Sequence, residues 1–159
     1  PDAVGNLNYG YWGGGDTGSY VSTVDRMDYS SDSTACATKG PLTVARLAPQ
    51  GTGNADYGYL AAGHPYMSSI DRIDYSNDTP TASPKGPLHR TARYGGSTGN
   101  KDFGYFTSGD QGANPAPSTS EVYRLDYAND TNVSVSKGPL AVAQDRMAAA
   151  SAAESGFPQ

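Results

Sequence analysis

The stretch DRMDYSSDS at residues 25–33 returns as DRIDYSNDT at residues 71–79 and again as YRLDYANDT at residues 123–131, at spacings of 46 and 52 residues. Around it the same landmarks recur in the same order. GNLNYGYW begins at Gly5, GNADYGYL at Gly53 and GNKDFGYF at Gly99, and KGPL stands at Lys39, Lys85 and Lys137. A tandem period of this length marks a propeller or a related array, in which each unit buries its faces against its neighbours.

Each unit reads as four short strands separated by turn residues, with no helical period. In the last complete unit, residues 93–97 are expected as a first strand, and Gly99-Asn100 as a positive-φ reversal into residues 103–108. Residues 69–76 alternate with a period of two, putting Ile70, Arg72 and Asp74 on one face and Asp71, Ile73 and Tyr75 on the other. Asn77 and Asp78 suit the left-handed conformations of a tight reversal, and residues 79–84 return as a polar outer strand. Pro41, Pro87 and Pro139 cannot donate to a ladder and belong in the connections between units. The expected fold is all-β, a β-propeller with about three four-stranded blades over residues 1–46, 47–92 and 93–144, and residues 145–159 opening a further one. The register places the start of the chain at the second strand of a blade, near Leu7, and makes the Ala-rich residues 141–153 a degenerate first strand. Closed propellers have about four to eight blades, so the ring is completed by further sequence or by other copies of the chain.

Among 159 residues there are 20 glycines and 12 tyrosines, so the core is expected from stacked sheets of small and aromatic side chains. Tyr11, Tyr59 and Tyr105 occupy matching second-strand positions and would fill the gaps between sheets. A net charge of −5 leaves no basic stripe for phosphates, which argues against a nucleic-acid partner. No apolar run reaches the roughly 20 residues of a membrane-spanning helix, so membrane insertion is not expected either. Cys36 is the lone cysteine; it frames no internal disulfide and is expected to pack as a small residue.

Chemistry is sought first in the loops between second and third strands, at residues 14–22, 62–68 and 109–120. These share a face with the inter-unit connections and vary most from unit to unit. Tyr20, His64 and Tyr66 would present aromatic and imidazole groups there, with Asp110 and Asn114 adding polar contacts. Arg26, Arg72 and Arg124 each stand two residues before Asp28, Asp74 and Asp126, which reads as a repeated structural ion-pair ladder rather than a unique catalytic constellation. Asp74, Asn77 and Asp78 offer oxygens suited to calcium. They lack the spacing, central Gly and terminal Glu of an EF-hand loop, and Asx turns account for the same letters. No metal or cofactor is therefore assigned. His64 and His89 have no carboxylate or serine partner set by spacing, and Gly13 to Gly15 do not lead into a helix as a phosphate loop would.

YWGGG at residues 11–15, Asp28-Tyr29 closing the third strand and the Pro-Leu connection leading to Arg46 resemble the kelch and galactose-oxidase-type propeller repeat, without its fourth-strand Trp. Over nearly the whole chain, the DRIDYSNDT-TASPKGPL unit resembles more closely the tandem repeats of virion structural proteins of tailed phages infecting marine cyanobacteria. That resemblance implies a non-enzymatic structural and adhesion protein of the virion or its tail appendage. The partners it implies are other virion proteins or copies of itself, and a host cell-surface glycan or protein. The competing expectations are a carbohydrate-active propeller enzyme and a cellular kelch-type interaction scaffold.

Overall fold

The computed structural model describes residues 1–111 and 118–148. Strands β1 (Asp2–Gly5), β2 (Tyr9–Asp16), β3 (Tyr20–Asp28) and β4 (Ala37–Lys39) form a first antiparallel sheet in sequence order. A second is built from β5 (Gln50–Gly53), β6 (Tyr57–Ala61), β7 (Ile70–Asp74) and β8 (Ser83–Lys85), and a third from β9 (Ser97–Gly99), β10 (Phe103–Thr107), β11 (Val122–Asp126) and β12 (Val135–Lys137). The chain is all-β, and its three four-stranded sheets are compatible with a propeller-like arrangement. Among the described residues no helix is long and apolar enough to cross a membrane.

The register repeats with the sequence. Tyr11 pairs with Arg26, Tyr59 with Arg72 and Tyr105 with Arg124. Alternation along β7 then sends Asp71, Ile73 and Tyr75 toward the first sheet and Ile70 and Arg72 toward the third. Val4, Tyr11, Val24 and Leu42 pack on Leu60, Ile73, Tyr75 and Ala82 to make one buried cluster. Tyr59, Ala61, Ile70 and Leu88 pack on Phe106, Tyr123, Leu125 and Tyr127 to make the next. Stacked tyrosines lie at the heart of both, Tyr11 on Tyr75 at 5.0 Å and Tyr59 on Tyr127 at 4.8 Å between ring centroids. The core therefore lies between sheets rather than within any one of them.

Several expectations change at the level of single elements. The first sheet has its own first strand, β1, so the chain opens on a complete sheet and not at a second strand near Leu7. The first strand of the third sheet is Ser97–Gly99 rather than residues 93–97. Residues 93–96 are instead held to the neighbouring loop, where Arg93 N–H donates to Asp110 O. The reversal after each first strand is an Asx turn, not a positive-φ turn. The Asn100 side chain accepts from the Asp102 and Phe103 amides, as Asn6 and Asn54 do in their units.

The reversal after each third strand works similarly, with Asp28, Asp74 and Asp126 accepting from the amides two residues on. Neither Asn77 nor Asp78 is left-handed. Among the described residues the left-handed non-glycine residues are Ala48, Tyr94 and Arg146, at one equivalent position in each connection, and Ala62, just after β6. Residues 141–148 form no strand, and the remainder of the Ala-rich run lies outside the described residues. The first β2–β3 loop is short, because β2 runs to Asp16 and β3 starts at Tyr20 across a bulge at Gly13 to Gly15. Cys36 is exposed. It stands at the position of Ala82, whose burial comes from the preceding sheet, and among the described residues no sheet lies against the first one on that side.

Backbone contacts tie each connection to the next sheet. Gly40 N–H donates to Asp78 O at 2.9 Å and Gly86 N–H to Asp130 O at 2.8 Å. Ala82 and Ser134 N–H answer by donating to Pro41 O and Pro87 O, at 2.8 and 2.9 Å. A Cβ on Gly40 would run into the Pro80 carbonyl and one on Gly86 into the Asn132 carbonyl, whereas a Cβ on Gly138 would meet open space. Hence, for the separated chain in dilute solution, Gly86→Ala should force the sheets apart and cost about 2–3 kcal/mol in urea denaturation, while Gly138→Ala should stay within about 0.5 kcal/mol of the parent. Equal losses at both positions would contradict this packing.

Candidate functional site

The connections and the second-to-third-strand loops meet on one face of the stack. Gly15 N–H donates to Arg46 O, Leu47 and His64 exchange backbone bonds, and Arg93 and Asp110 do the same one unit later. These bridges bring four of the five loop candidates into a continuous row across all three sheets. Tyr20, from the first sheet, meets the His64 ring edge-on at 5.2 Å, and His64 lies 5.9 Å from Tyr66. The Arg93 guanidinium covers the Tyr66 ring at 4.2 Å and bonds the Asp110 carboxylate through Nε at 2.7 Å and Nη2 at 2.6 Å. Asn114 lies outside the described residues.

Within the row, Tyr20 is exposed, His64 and Tyr66 are half-buried and Asp110 is buried. The buried Nδ1 of His64 has no hydrogen-bond partner among the described residues. Asp110 therefore serves to fix Arg93 rather than to face solvent, which differs from its expected part as a polar contact. Beside the row, Gln111 bonds the Glu121 carboxylate and the Tyr123 hydroxyl, and Tyr123 donates to Glu121. Burial and the Glu121 contact raise the Tyr123 pKa above its ordinary value.

Sequence reasoning missed the residue that holds this face in place. Arg46 and Asp71 are both fully buried and form an ion pair of 2.9 Å. The same guanidinium donates to Ala62 O and Ser69 O, the two ends of the loop that carries His64 and Tyr66. Asp71 also accepts from the Thr43 amide and hydroxyl. Burial pushes the Arg46 pKa down, and Asp71 opposes that. A pair this dry adds little net stability over an apolar one, but its loss would leave a charge stranded and release the loop. A signal was present in the tandem alignment: Arg46 and Asp71 are replaced together, by Ala92 and Tyr123, in the next unit.

The expected Arg-Asp ladder is rewired. Arg26 bonds Asp78 at 2.7 Å and Arg72 bonds Asp130 at 2.8 Å, each in the following sheet. Asp28, Asp74 and Asp126 are engaged in their own turns. Tyr11 and Lys39 join Arg26 on Asp78 at 2.9 and 3.1 Å, while Tyr59 and Lys85 join Arg72 on Asp130 at 3.0 and 3.2 Å. In the third sheet Arg124 covers the Phe103 ring at 4.4 Å, and among the described residues it has no ion pair. Pairing within one strand face fails because side chains two residues apart point in parallel, whereas the neighbouring sheet brings an acceptor head-on.

Among the described residues no group of three or more His, Cys, Asp or Glu side chains is placed to hold a metal ion. Comparison with protein-family models and with curated proteins finds no match to this chain.

Burial alone would raise the Asp78 pKa, but hydrogen bonds from Lys39 and Tyr11 and the charges of Arg26 and Lys39 outweigh it and leave the carboxyl below its ordinary value. A depressed folded pKa contributes stability that is complete above the unfolded value of about 3.9 and is lost as pH falls through the folded one. Thermal melts between pH 7 and 2 should therefore show the parent losing stability below about pH 4. Asp78→Asn should start about 2–4 kcal/mol lower at pH 7 and decline less steeply in acid. Parallel curves for the two proteins would refute the assignment.

Proposed function

We propose that this chain is a non-enzymatic structural and adhesion module, three blades of a β-propeller within a phage virion or tail appendage, which presents its loop face to a host cell-surface glycan. The observation that carries the reading is the row from Tyr20 through His64 and Tyr66 to Arg93, contributed by three sheets and buttressed from below by Arg46 and Asp110. Aromatic faces fixed side by side offer the apolar side of a sugar ring a surface to stack on, and an arginine at the edge supplies hydrogen-bond donors. A rigid frame with variable loops is also what repeat scaffolds use for recognition. The resemblance of the tandem unit to virion repeats supports the location.

Attachment through such a face needs no tight single site. Many copies on one particle multiply weak contacts into firm adhesion. The aromatic row is then the part whose loss should be felt at the cell surface. Tyr20→Ala combined with Tyr66→Ala should lower binding to host cells or their purified surface polysaccharide by about tenfold or more, which corresponds to about 1.4 kcal/mol. The melting temperature should change little. Unchanged binding by a folded double variant would remove the row from recognition.

A further inference from the structure

The outer faces of the first and third sheets match the two sides of the internal junctions, and among the described residues each is without its counterpart. Asp32 is equivalent to Asp78 and Asp130, and Tyr29 to Tyr75 and Tyr127. Inside the stack these positions are buried, at 7% exposure for Tyr75 and 9% for Tyr127, whereas Tyr29 is 51% exposed and Asp32 is exposed as well. The turn presenting them is already formed. Asp28 has φ −93° and ψ 116° against −91° and 115° at Asp126, and Asp32 has φ −74° and ψ −5° against −69° and 0° at Asp130.

The third sheet carries the donor side. Tyr105, Arg124 and Lys137 stand where Tyr11, Arg26 and Lys39 clamp Asp78, and where Tyr59, Arg72 and Lys85 clamp Asp130. Arg124 lies over Phe103 at 4.4 Å, in the pose that Arg26 holds over Tyr9 and Arg72 over Tyr57, both at 4.2 Å. Its guanidinium is therefore held in the pose of its clamping counterparts. Gly138 is a second, steric indication. Glycine is required at Gly40 and Gly86 because the next sheet's turn lies against them, yet Gly138 has the same identity with open space around it.

We infer that these two faces are the halves of one interface, and that a second copy of this chain docks its third sheet onto the first sheet of its partner. Tyr105, Arg124 and Lys137 of one copy then close on Tyr29 and Asp32 of the other. Trp12, 38% exposed at the position that Leu60 and Phe106 fill in the buried clusters, is covered in the same step. The faces are of opposite charge and different shape, so the contact is head-to-tail rather than self-complementary. A pair of copies brings six sheets together, within the range of about four to eight at which propeller rings close. The inference rests on the propeller reading proposed above but not on the virion location or on recognition by the loop row.

The test is the mass of the purified 159-residue chain in solution, by sedimentation and native mass spectrometry, against charge-swapped variants. The expected result is an assembly of twice the 16.5 kDa chain mass. Asp32→Lys alone and Arg124→Glu alone should each raise the dissociation constant by at least about tenfold. An equimolar mixture of the two variants should associate again, because one junction is then native and the other has both charges exchanged. Gly138→Ala, which leaves the charges intact, should also dissociate the pair while the melting temperature of the separated chain is preserved. A parent that stays monomeric at about 100 µM, far above the affinities of specific interfaces, would overturn the inference and leave these faces to further repeats of a longer polypeptide. An assembly indifferent to all three variants would overturn it equally. Loss of cell binding in the loop variants without any change in mass would bear on the proposed function alone.

Discussion

A single carboxylate at the hairpin turn of one sheet collects a phenol, a guanidinium and an ammonium from the sheet before it, and this happens at both internal junctions. Asp78 receives Tyr11, Arg26 and Lys39, and Asp130 receives Tyr59, Arg72 and Lys85. Each donor comes from a different strand, so one anion fixes the position of a whole sheet relative to its neighbour. The carboxylates are nearly buried, which strengthens each contact and makes any unpaired member costly. The stacked tyrosines beside them supply the apolar part of the same joint, and burial raises the pKa of Tyr11, Tyr59 and Tyr75 and pushes that of Tyr127 up to about 12. These phenols therefore stay neutral throughout the physiological range, and Tyr11 and Tyr59 keep donating to Asp78 and Asp130.

The joint also dictates the backbone around it. For the carboxylate to reach its donors, the turn must lie directly on the KGPL connection, and only glycine leaves room there. The connection in turn sets the loop face, since its next residues form the backbone bridges to His64 and Asp110. Arg46 extends this control at the first junction by binding both ends of the loop that carries His64 and Tyr66. The aromatic row is thus a consequence of sheet stacking, with its spacing fixed by the inter-sheet joints rather than by the loops themselves.

The repeat, the strand content and the face shared by loops and connections were legible in the tandem alignment, because these follow from local turn chemistry and period-two alternation. Partnership between sheets was harder to read. Arg26 and Asp28 look paired in sequence because they are close along the chain, yet Arg26 reaches Asp78 across 52 residues. What could have pointed there is the repetition of Asp32, Asp78 and Asp130 in step with Tyr, Arg and Lys one unit earlier. The turn conformations were misjudged for a related reason. Asn and Asp tolerate left-handed backbone, but here their side chains cap right-handed or extended turns, and the left-handed non-glycine residues are two Ala, a Tyr and an Arg, three of them in the connections. Tyr20, His64, Tyr66 and Asp110 were found one by one as loop residues; that they form one row depends on Arg93, whose part no local pattern marks.

The most direct measurement is a double-mutant cycle at each junction, Tyr11→Phe with Asp78→Asn and Tyr59→Phe with Asp130→Asn, read by denaturant unfolding. A joint built on shared carboxylates gives coupling energies of about 1–3 kcal/mol in both cycles, and of similar size because the geometry repeats. Additive effects, with coupling near zero at both junctions, would mean that stacking alone holds the sheets and that the carboxylate is incidental.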